Sequence, residues 1–169
     1  MKKYELTDDT ITVGGRILHR IKALKSFSDV EEGDLGGYVE KEDNLDHSGE
    51  AWVSGNAWVY GNAWVYGDAR VYGDARVYRD ARVSGNARVS GDARVSGEND
   101  YAAAKGFGRE YRTTTFFRLQ DGGIGVRCGC FCGTLEEFRE KVKETHKESK
   151  MGKEYLMLAD LMEYKFKNA

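Results

Sequence analysis

The chain contains no proline in 169 residues, which argues against the proline-rich composition typical of disordered linkers. It has only three cysteines, Cys128, Cys130 and Cys132, so a disulfide framework is not expected. No apolar run approaches the roughly 20 residues of a membrane-spanning helix, and the opening MKKYELTDDT lacks the apolar core of a signal peptide. The net charge of −2 provides no general attraction to duplex nucleic acid or to an anionic membrane. We therefore expect a cytoplasmic protein that binds neither.

Glycine, in contrast, is abundant, with 21 residues, and part of it lies at fixed positions of a repeat. From Ala51 to Glu98 the chain reads as eight six-residue units: AWVSGN, AWVYGN, AWVYGD, ARVYGD, ARVYRD, ARVSGN, ARVSGD and ARVSGE. Each unit has Ala first, Val third and Asn, Asp or Glu sixth, and only Arg79 replaces the glycine at the fifth position. Two looser units, 39–44 and 45–50, precede them. A short period of this fidelity predicts a repeat architecture.

A six-residue period predicts a coil with three flat sides, one hexad to a side, and 18 residues per circuit. The valines would point to the common axis, and Gly followed by Asn or Asp would form the corners. Positions 18 apart would then stack at the spacing of strands in a sheet, about 4.8 Å. This stacking predicts four outward columns of side chains: Trp52 with Arg70 and Arg88, Trp58 with Arg76 and Arg94, Trp64 with Arg82, and Tyr60 with Tyr78. In the three columns that begin with tryptophan, we expect cation–π contacts between the arginine and the indole ring.

The segment Val53-Ser54-Gly55-Asn56-Ala57 resembles the unit of the hexapeptide-repeat family, the left-handed parallel β-helices of bacterial acyl- and nucleotidyl-transferases. The resemblance implies a homotrimer, and for an acyltransferase it implies a histidine base beside the subunit interface. Residues 51–101 contain no histidine. His47 is the only candidate near a coil, and it falls at the inward valine position of the unit 45–50. We therefore expect no catalytic residue and no cofactor.

The flanking segments predict three further parts. Residues 1–50 form an N-terminal cap with a β-hairpin at Gly14-Gly15. Residues 99–110 form a linker. Residues 111–169 form a small α+β domain, a β-hairpin followed by helices at about 134–146 and 153–166. The second helix is apolar on more than one side, which predicts contact with another subunit.

The hairpin of the C-terminal domain carries the predicted ligand-binding residues. A two-residue turn at Asp121-Gly122 would place Arg112, Thr114, Phe116, Arg118, Gly125, Arg127, Gly129 and Phe131 on one face. Arginine binds phosphate through two parallel hydrogen bonds and phenylalanine stacks on bases. Lys105 and Arg109, in the linker, could help to hold an anion. Alternatively, the same face docks the sheet onto the solenoid or onto a neighbouring subunit.

Cys128, Cys130 and Cys132 alternate on the opposite face, with His146 as a conceivable fourth metal ligand. Zinc sites space their cysteines on a knuckle, whereas neighbours on one strand face lie about 6.8 Å apart. Small buried apolar side chains are the better interpretation.

The sequence thus predicts a mainly β protein: a left-handed parallel β-helix with an N-terminal hairpin cap and a small C-terminal α+β domain. For function it predicts a non-enzymatic homotrimer that captures a phosphorylated or nucleotide ligand, or a host protein, at its subunit junctions. The architecture resembles small hexapeptide-repeat proteins of phages and prophages, which implies capture of a host signalling nucleotide or inhibition of a host protein. The alternatives are a coenzyme-A-dependent acyltransferase and a trimerisation stem.

Overall fold

The structure, a computed structural model, describes residues 1–168 and has a parallel β-solenoid at its centre. Strands 18 residues apart pair in parallel, Trp52 with Arg70, Trp58 with Arg76 and Trp64 with Arg82, so the predicted circuit of 18 residues is confirmed. The eight two-residue strands are β4 (Trp52–Val53), β5 (Trp58–Val59), β6 (Trp64–Val65), β7 (Arg70–Val71), β8 (Arg76–Val77), β9 (Arg82–Val83), β10 (Arg88–Val89) and β11 (Arg94–Val95).

The interior of the solenoid consists of the repeated valines and alanines. All eight valines of the hexads are fully buried, and the alanines that begin the hexads are buried beside them. The corner glycines have positive φ, for example +63° at Gly55 and +70° at Gly73. Arg79 adopts the same conformation, with φ +56°, so the corner geometry is kept where glycine is missing. Each hexad therefore has one inward valine, and the first seven hexads have a corner residue at positive φ, whereas Gly97 in the eighth is extended, with φ −166°.

A three-stranded antiparallel ribbon caps the N-terminal end. It consists of β1 (Tyr4–Val13), β2 (Arg16–Ala23) and β3 (Leu35–Val39), and β3 continues in parallel onto β5. The predicted turn at Gly14-Gly15 is confirmed, with both glycines at positive φ. The cap is thus continuous with one solenoid face.

The first, incomplete coil corrects the prediction for His47. Val39 pairs with Val59, and Leu45 bridges to Val65 with only 1% of its surface exposed. Leu45 therefore takes the inward position that was predicted for His47. Leu45 precedes Val53 by eight positions, whereas successive inward valines of the repeat are six positions apart. A short 3₁₀ turn, Glu42–Asn44, precedes it, and the fully buried ring of Tyr4 belongs to the same core.

The C-terminal domain contains a four-stranded antiparallel sheet rather than the single predicted hairpin. Its strands, in spatial order, are β12 (Tyr101–Phe107), β13 (Arg112–Arg118), β14 (Ile124–Cys128) and β15 (Phe131–Thr134). Most of the predicted linker 99–110 is therefore strand β12, preceded by a 3₁₀ turn at Glu98–Asp100. An alanine-rich strand has little intrinsic β propensity, and pairing with β13 stabilises it.

The predicted register between β13 and β14 is wrong by one residue. Arg118 pairs with Ile124 and Phe116 with Val126, because the loop has three residues, 120–122, instead of two. The N–H of Leu119 donates to the carbonyl of Gly123 at 2.9 Å, and Gly122 has φ +88°. A turn followed by a left-handed glycine is the usual three-residue hairpin loop. Side chains alternate between the two faces of a strand, so a shift of one residue reverses which β14 side chains share a face with a given set of β13 side chains.

Two helices cover one face of this sheet, and the solenoid packs against the other. They are α1 (Leu135–His146), which begins with the predicted capping box of Thr134 and Glu137, and α2 (Lys150–Lys167). Phe116 packs in the core beneath the helices, whereas Phe117 belongs to the solenoid core. Neither helix has the length and apolar character needed to cross a membrane.

Candidate functional site

The corrected register divides the predicted ligand-binding face. Thr114, Phe116 and Arg118 lie on the helix side of the sheet with Ile124 and Val126, whereas Arg127 lies on the solenoid side. The common surface of arginines and phenylalanines predicted from a two-residue turn is therefore absent from residues 1–168.

Two of the predicted residues, Phe116 and Arg118, have structural contacts instead. Phe116 is fully buried, with its ring centroid 6.2 Å from that of Phe138. The Arg118 guanidinium donates to the carbonyl of Phe166 at 2.8 Å and lies 3.7 Å from the Asp100 carboxylate. Arg118 thus fastens the end of α2 to the sheet. Phe116 is therefore inaccessible to a surface ligand, and the Arg118 guanidinium is engaged in contacts within the domain.

The Arg127 side chain, from strand β14 of the sheet, lines a cleft of about 380 Å³ whose other walls are formed by the solenoid and the N-terminal cap. Its guanidinium lies 5.5 Å from the ring centroid of Tyr72, and no described residue is a hydrogen-bond partner of its Nε. Arg70 in the same cleft is paired with Asp29 at 2.8 Å. Arg127 therefore belongs to the junction between sheet and solenoid.

The other four predicted residues come together at the end of the sheet where β12 turns into β13. Lys105, Arg109, Arg112 and Phe131 line two adjoining concavities. The first, here called the apolar pocket, has a volume of about 310 Å³, and the second, the basic cleft, about 580 Å³. Both volumes lie in the range of small-molecule sites, about 300–1,000 Å³. The two concavities share Arg112, Gly129 and Cys130.

Aromatic rings form the walls of the apolar pocket. The ring centroid of Phe138 lies 5.6 Å from that of Phe131 and 5.7 Å from that of Tyr155, with Tyr155 nearly perpendicular. Val142 from the next turn of α1 completes this wall. His146 lies at the rim, its ring centroid 5.6 Å from that of Tyr155. The pocket can accept a flat apolar or heteroaromatic group.

A partly buried hydrogen-bond chain ends at the Tyr155 hydroxyl, inside this pocket. The Thr114 hydroxyl donates to Cys128 Sγ at 3.2 Å, and the Cys128 thiol donates to the Tyr155 oxygen at 3.9 Å. Burial, followed by the neighbouring Cys128, raises the pKa of Tyr155 to about 12, so the hydroxyl is neutral at pH 7. No described residue accepts its proton, which leaves Tyr155 as a donor for a ligand.

Two glycines provide the space for these groups. A Cβ at Gly108 would lie 2.1 Å from the Tyr155 oxygen, so the hydroxyl packs directly on the backbone there. A Cβ at Gly129 would lie 2.6 Å from an Nη atom of Arg112. Gly129 opens the two-residue β14–β15 loop with φ +58°, the first loop position at which type II′ turns favour glycine. The Arg112 side chain thus lies across this loop, between the two concavities.

The basic cleft combines cations from the sheet and from the solenoid. Lys105 comes from β12, Arg112 from β13 and Arg88 from β10, and no carboxylate lines the cleft in the part of the chain that the structure describes. The backbone N–H of Arg88 donates to the Thr115 hydroxyl at 3.0 Å, which fixes strand β10 against the sheet. Arg112 is paired with the exposed Glu110 carboxylate at 3.2 Å. The cleft is therefore a site of positive potential open to an anion.

Arg88, Asn86 and Tyr155 also line the site, and the sequence does not identify them as site residues. Arg88 and Asn86 follow the repeat as regularly as their equivalents in other hexads. Tyr155 is one of several aromatic residues in α2. No local signal distinguishes them, because the packing of the sheet against the last coil brings them to the site.

The geometry of His47 does not suit a general base. The ring stacks on Tyr4 with centroids 4.4 Å apart, and Nδ1 accepts the backbone N–H of Lys3 at 3.1 Å. Burial lowers the pKa of His47, so the ring is neutral at pH 7 with its proton on Nε2, 3.9 Å from Glu42. The Nδ1 lone pair, the one site at which the neutral ring could accept a proton, is therefore occupied by the Lys3 N–H.

The three cysteines do not converge. Cys128 ends β14 beside Tyr155, Cys130 lies in the exposed loop, and Cys132 Sγ lies 3.7 Å from the Ser90 hydroxyl. The prediction of a single straight strand through all three is wrong, because the chain reverses at Gly129. Within residues 1–168 no group of three His, Cys, Asp or Glu side chains is placed to hold a metal ion.

The outward columns of the solenoid stack as predicted, but the cation–π contact forms in only one of the three tryptophan columns among the described residues. The Arg76 guanidinium lies 4.0 Å from the Trp58 ring centroid, and the Tyr60 and Tyr78 rings stack at 5.4 Å. Arg70 pairs with Asp29, and Trp64 stacks on Tyr66 at 4.1 Å. These stacked side chains link successive coils of the solenoid.

Comparison with known families agrees with this architecture. Residues 51–67, 69–85 and 81–97 match the family model described as "YdcK Beta solenoid repeat". The match supports a β-helix repeat family. It lies within the solenoid and covers only one of the cations of the basic cleft, Arg88. No curated protein matches the chain.

Proposed function

We propose that this protein is a non-catalytic binding protein that captures a phosphorylated small molecule, and that a nucleotide is the ligand class its site fits best. The observation that carries the proposal is the junction of an aromatic pocket with a carboxylate-free basic cleft at Arg112. A ligand that spans both must combine a flat apolar group with an anion. A nucleotide has this combination.

The apolar pocket suits the base. Phe131 and Phe138 provide aromatic surface for stacking, which is favourable for every base. Tyr155 supplies one hydrogen-bond donor for a ring nitrogen or carbonyl oxygen of the base. Since a buried donor without a partner is costly, a ligand with an acceptor at this position would be favoured over one without.

The basic cleft suits the phosphate. The Arg112 and Arg88 guanidinium groups can each donate two parallel hydrogen bonds to phosphate oxygens, and Lys105 adds a third positive charge. The site lies within one chain, so this proposal does not require the subunit junctions predicted from the sequence. Homotrimeric assembly, a host protein as partner, phage origin and a cytoplasmic location stay predictions.

Isothermal titration calorimetry with nucleoside monophosphates, the matching nucleosides and inorganic phosphate tests the proposal. At least one nucleotide should bind, and its nucleoside and phosphate alone should each bind at least about tenfold more weakly, roughly 1.4 kcal/mol. The double variant R88A/K105A should lower nucleotide affinity by a similar factor or more. The matched control is R82A, which removes an exposed arginine from β9, away from the site.

Two results would contradict the proposed binding of a nucleotide. One is the absence of binding by any nucleotide in the panel. The other is an equal loss of affinity in R82A and R88A/K105A, which would indicate a general charge effect. Turnover of acetyl-coenzyme A with an amine acceptor would contradict the non-catalytic part and favour the acyltransferase alternative.

A further inference from the structure

The cleft that Arg127 lines, here called the junction cleft, lies where the N-terminal cap, the solenoid and strand β14 meet. Its volume of about 380 Å³ is within the range of small-molecule sites. Among residues 1–168 it shares one lining residue, Arg88, with the basic cleft and none with the apolar pocket. The junction cleft is therefore a second concavity, which the proposed nucleotide site does not account for.

Two polar atoms at the junction cleft are buried and have no hydrogen-bond partner among the described residues. They are the Tyr72 hydroxyl oxygen and Arg127 Nε. The Arg127 guanidinium lies 5.5 Å from the Tyr72 ring centroid, so the two groups are neighbours, and within residues 1–168 no carboxylate is in salt-bridge contact with it. A buried donor without an acceptor is costly, and a charged donor more so. An acceptor that reaches both groups would remove this cost.

The charged side chains of the cleft leave one positive charge in excess. Five of them line it: Arg70, Arg88, Arg127, Asp29 and Asp34. Arg70 pairs with Asp29 at 2.8 Å, and the Asp34 carboxylate accepts the backbone N–H of Glu31 at 2.9 Å. Arg88 and Arg127 together outweigh Asp34 by one charge. The cleft therefore suits a monovalent anion better than a phosphate dianion.

The uncharged part of the lining is largely apolar. Trp52 and Val30 are buried, whereas Leu35 beside them is mostly exposed. The Tyr72 and Ser54 hydroxyls are the polar groups of this part within the described chain. An apolar group placed in the cleft would remove Leu35 from water, which is favourable.

We propose that the junction cleft binds a small organic acid that has one carboxylate and an apolar body. The carboxylate accepts hydrogen bonds from the Arg127 guanidinium and the Tyr72 hydroxyl, and the apolar body lies against Trp52 and Leu35. Because no described residue bonds the Arg127 guanidinium, a change of its side-chain rotamer gives the carboxylate access to both donors. Such rotamer changes are common when a partner binds.

NMR titration of the ¹⁵N-labelled full chain tests the proposal. The probes are benzoate and phenylacetate, each compared with its neutral amide, and phenyl phosphate is compared with benzoate. At least one acid should shift the Arg127 Nε–H resonance, which is assigned by its loss in R127Q. This acid should bind at least about tenfold more tightly than its amide, and benzoate more tightly than phenyl phosphate.

Variants of the two donors test their roles. R127Q should raise the dissociation constant of the acid about tenfold or more, and Y72F about threefold or more. The matched controls are R82Q and Y78F, and both should keep the wild-type affinity. Tyr78 has the same position in its hexad as Tyr72 but does not line the cleft, and neither does Arg82. Circular dichroism spectra identical to wild type will show that all four variants fold.

Three results would overturn the proposal: no binding by either acid, tighter binding of phenyl phosphate than of benzoate, or equal losses of affinity in Y72F and Y78F. The nucleotide site is tested separately, because neither Arg127 nor Tyr72 lines the apolar pocket or the basic cleft. R127Q and Y72F should therefore leave nucleotide affinity unchanged. A similar loss of nucleotide affinity in both variants would show that the two sites are one and would also contradict the proposal.

Discussion

At the scale of single residues, Lys3 is an unusual part of the N-terminal cap. Its side chain is fully buried, its Nζ donates to the Ala51 carbonyl at 2.7 Å, and within the described chain it has no carboxylate in salt-bridge contact. The Phe27 ring centroid lies 5.1 Å from Nζ. Burial lowers the pKa of Lys3 to about 8, against an ordinary value of 10.5. Arg70 and Lys25 lower the pKa further, whereas Asp46 and Asp68 raise it.

We therefore predict that Lys3 makes the folded state more stable as the pH rises above 8. Between about pH 8 and pH 10.5 the unfolded chain binds the lysine proton more strongly than the folded protein, so the free energy of unfolding increases with pH. The slope attributable to Lys3 is at most about 1.4 kcal/mol per pH unit. Urea denaturation of wild type and K3M between pH 7 and 10 measures this slope.

The difference between wild type and K3M isolates the contribution of Lys3. Burial raises the pKa of Tyr4, which lowers stability above the ordinary tyrosine value of 10, and this effect is common to both proteins. Equal slopes for wild type and K3M would show that Lys3 does not titrate in this range.

At the scale of the structural element, the solenoid hexad depends on the left-handed corner. Arg79 occupies this conformation at φ +56°, where a side chain other than glycine is strained by about 1–3 kcal/mol. Its guanidinium lies 5.8 Å from the Tyr78 ring centroid, a contact that offsets part of the strain. Arg79 is therefore the least favourable corner of the repeat.

Replacing Arg79 by glycine should stabilise the protein. R79G should raise the free energy of unfolding by about 0.5–1 kcal/mol, because the relief of strain exceeds the loss of the tyrosine contact and the added chain entropy. The opposite change at another corner, G73A, should lower the free energy of unfolding by about 1–2 kcal/mol. Gly73 has φ +70°, and the added Cβ would lie 3.0 Å from the Gly91 nitrogen. Thermal denaturation of both variants checks the opposite signs. A destabilised R79G would contradict the explanation.

At the scale of the whole molecule, strand β13 joins the solenoid to the C-terminal domain. Phe116 and Phe117 are adjacent in sequence and point to opposite faces, one into the core beneath the helices and the other into the solenoid core. Leu119 extends the contact through its bridge to Ala93. The two cores therefore share one strand, and we expect them to unfold together.

Truncation of Phe117 should weaken this junction. F117A should lower the free energy of unfolding by about 3–5 kcal/mol, the usual cost of removing a buried phenylalanine, and should separate the unfolding of the two cores into two transitions. The control L35A removes a side chain that is 56% exposed and should change stability by less than about 0.5 kcal/mol. Chemical denaturation followed by both tryptophan fluorescence and circular dichroism checks this, because all three tryptophans lie in the solenoid. An F117A that unfolds in a single transition at the wild-type midpoint would contradict it.

The solenoid, its inward valines, its corners and its 18-residue circuit could all be predicted from the amino-acid sequence. A repeat of one unit leaves a single consistent winding, because every hexad makes the same contacts with its neighbours. The capping box at Thr134 and the turn at Gly14-Gly15 were also readable, since both depend on residues adjacent in the chain.

The candidate site, in contrast, depends on how distant segments of the chain pack together. One additional residue in the 120–122 loop changed the register of β13 and β14, and with it the face to which Phe116, Arg118 and Arg127 point. The candidate site itself combines Arg88, Arg112 and Tyr155, which come from the solenoid, the sheet and a helix. Their approach depends on packing between distant segments, and no local pattern of residue types encodes it.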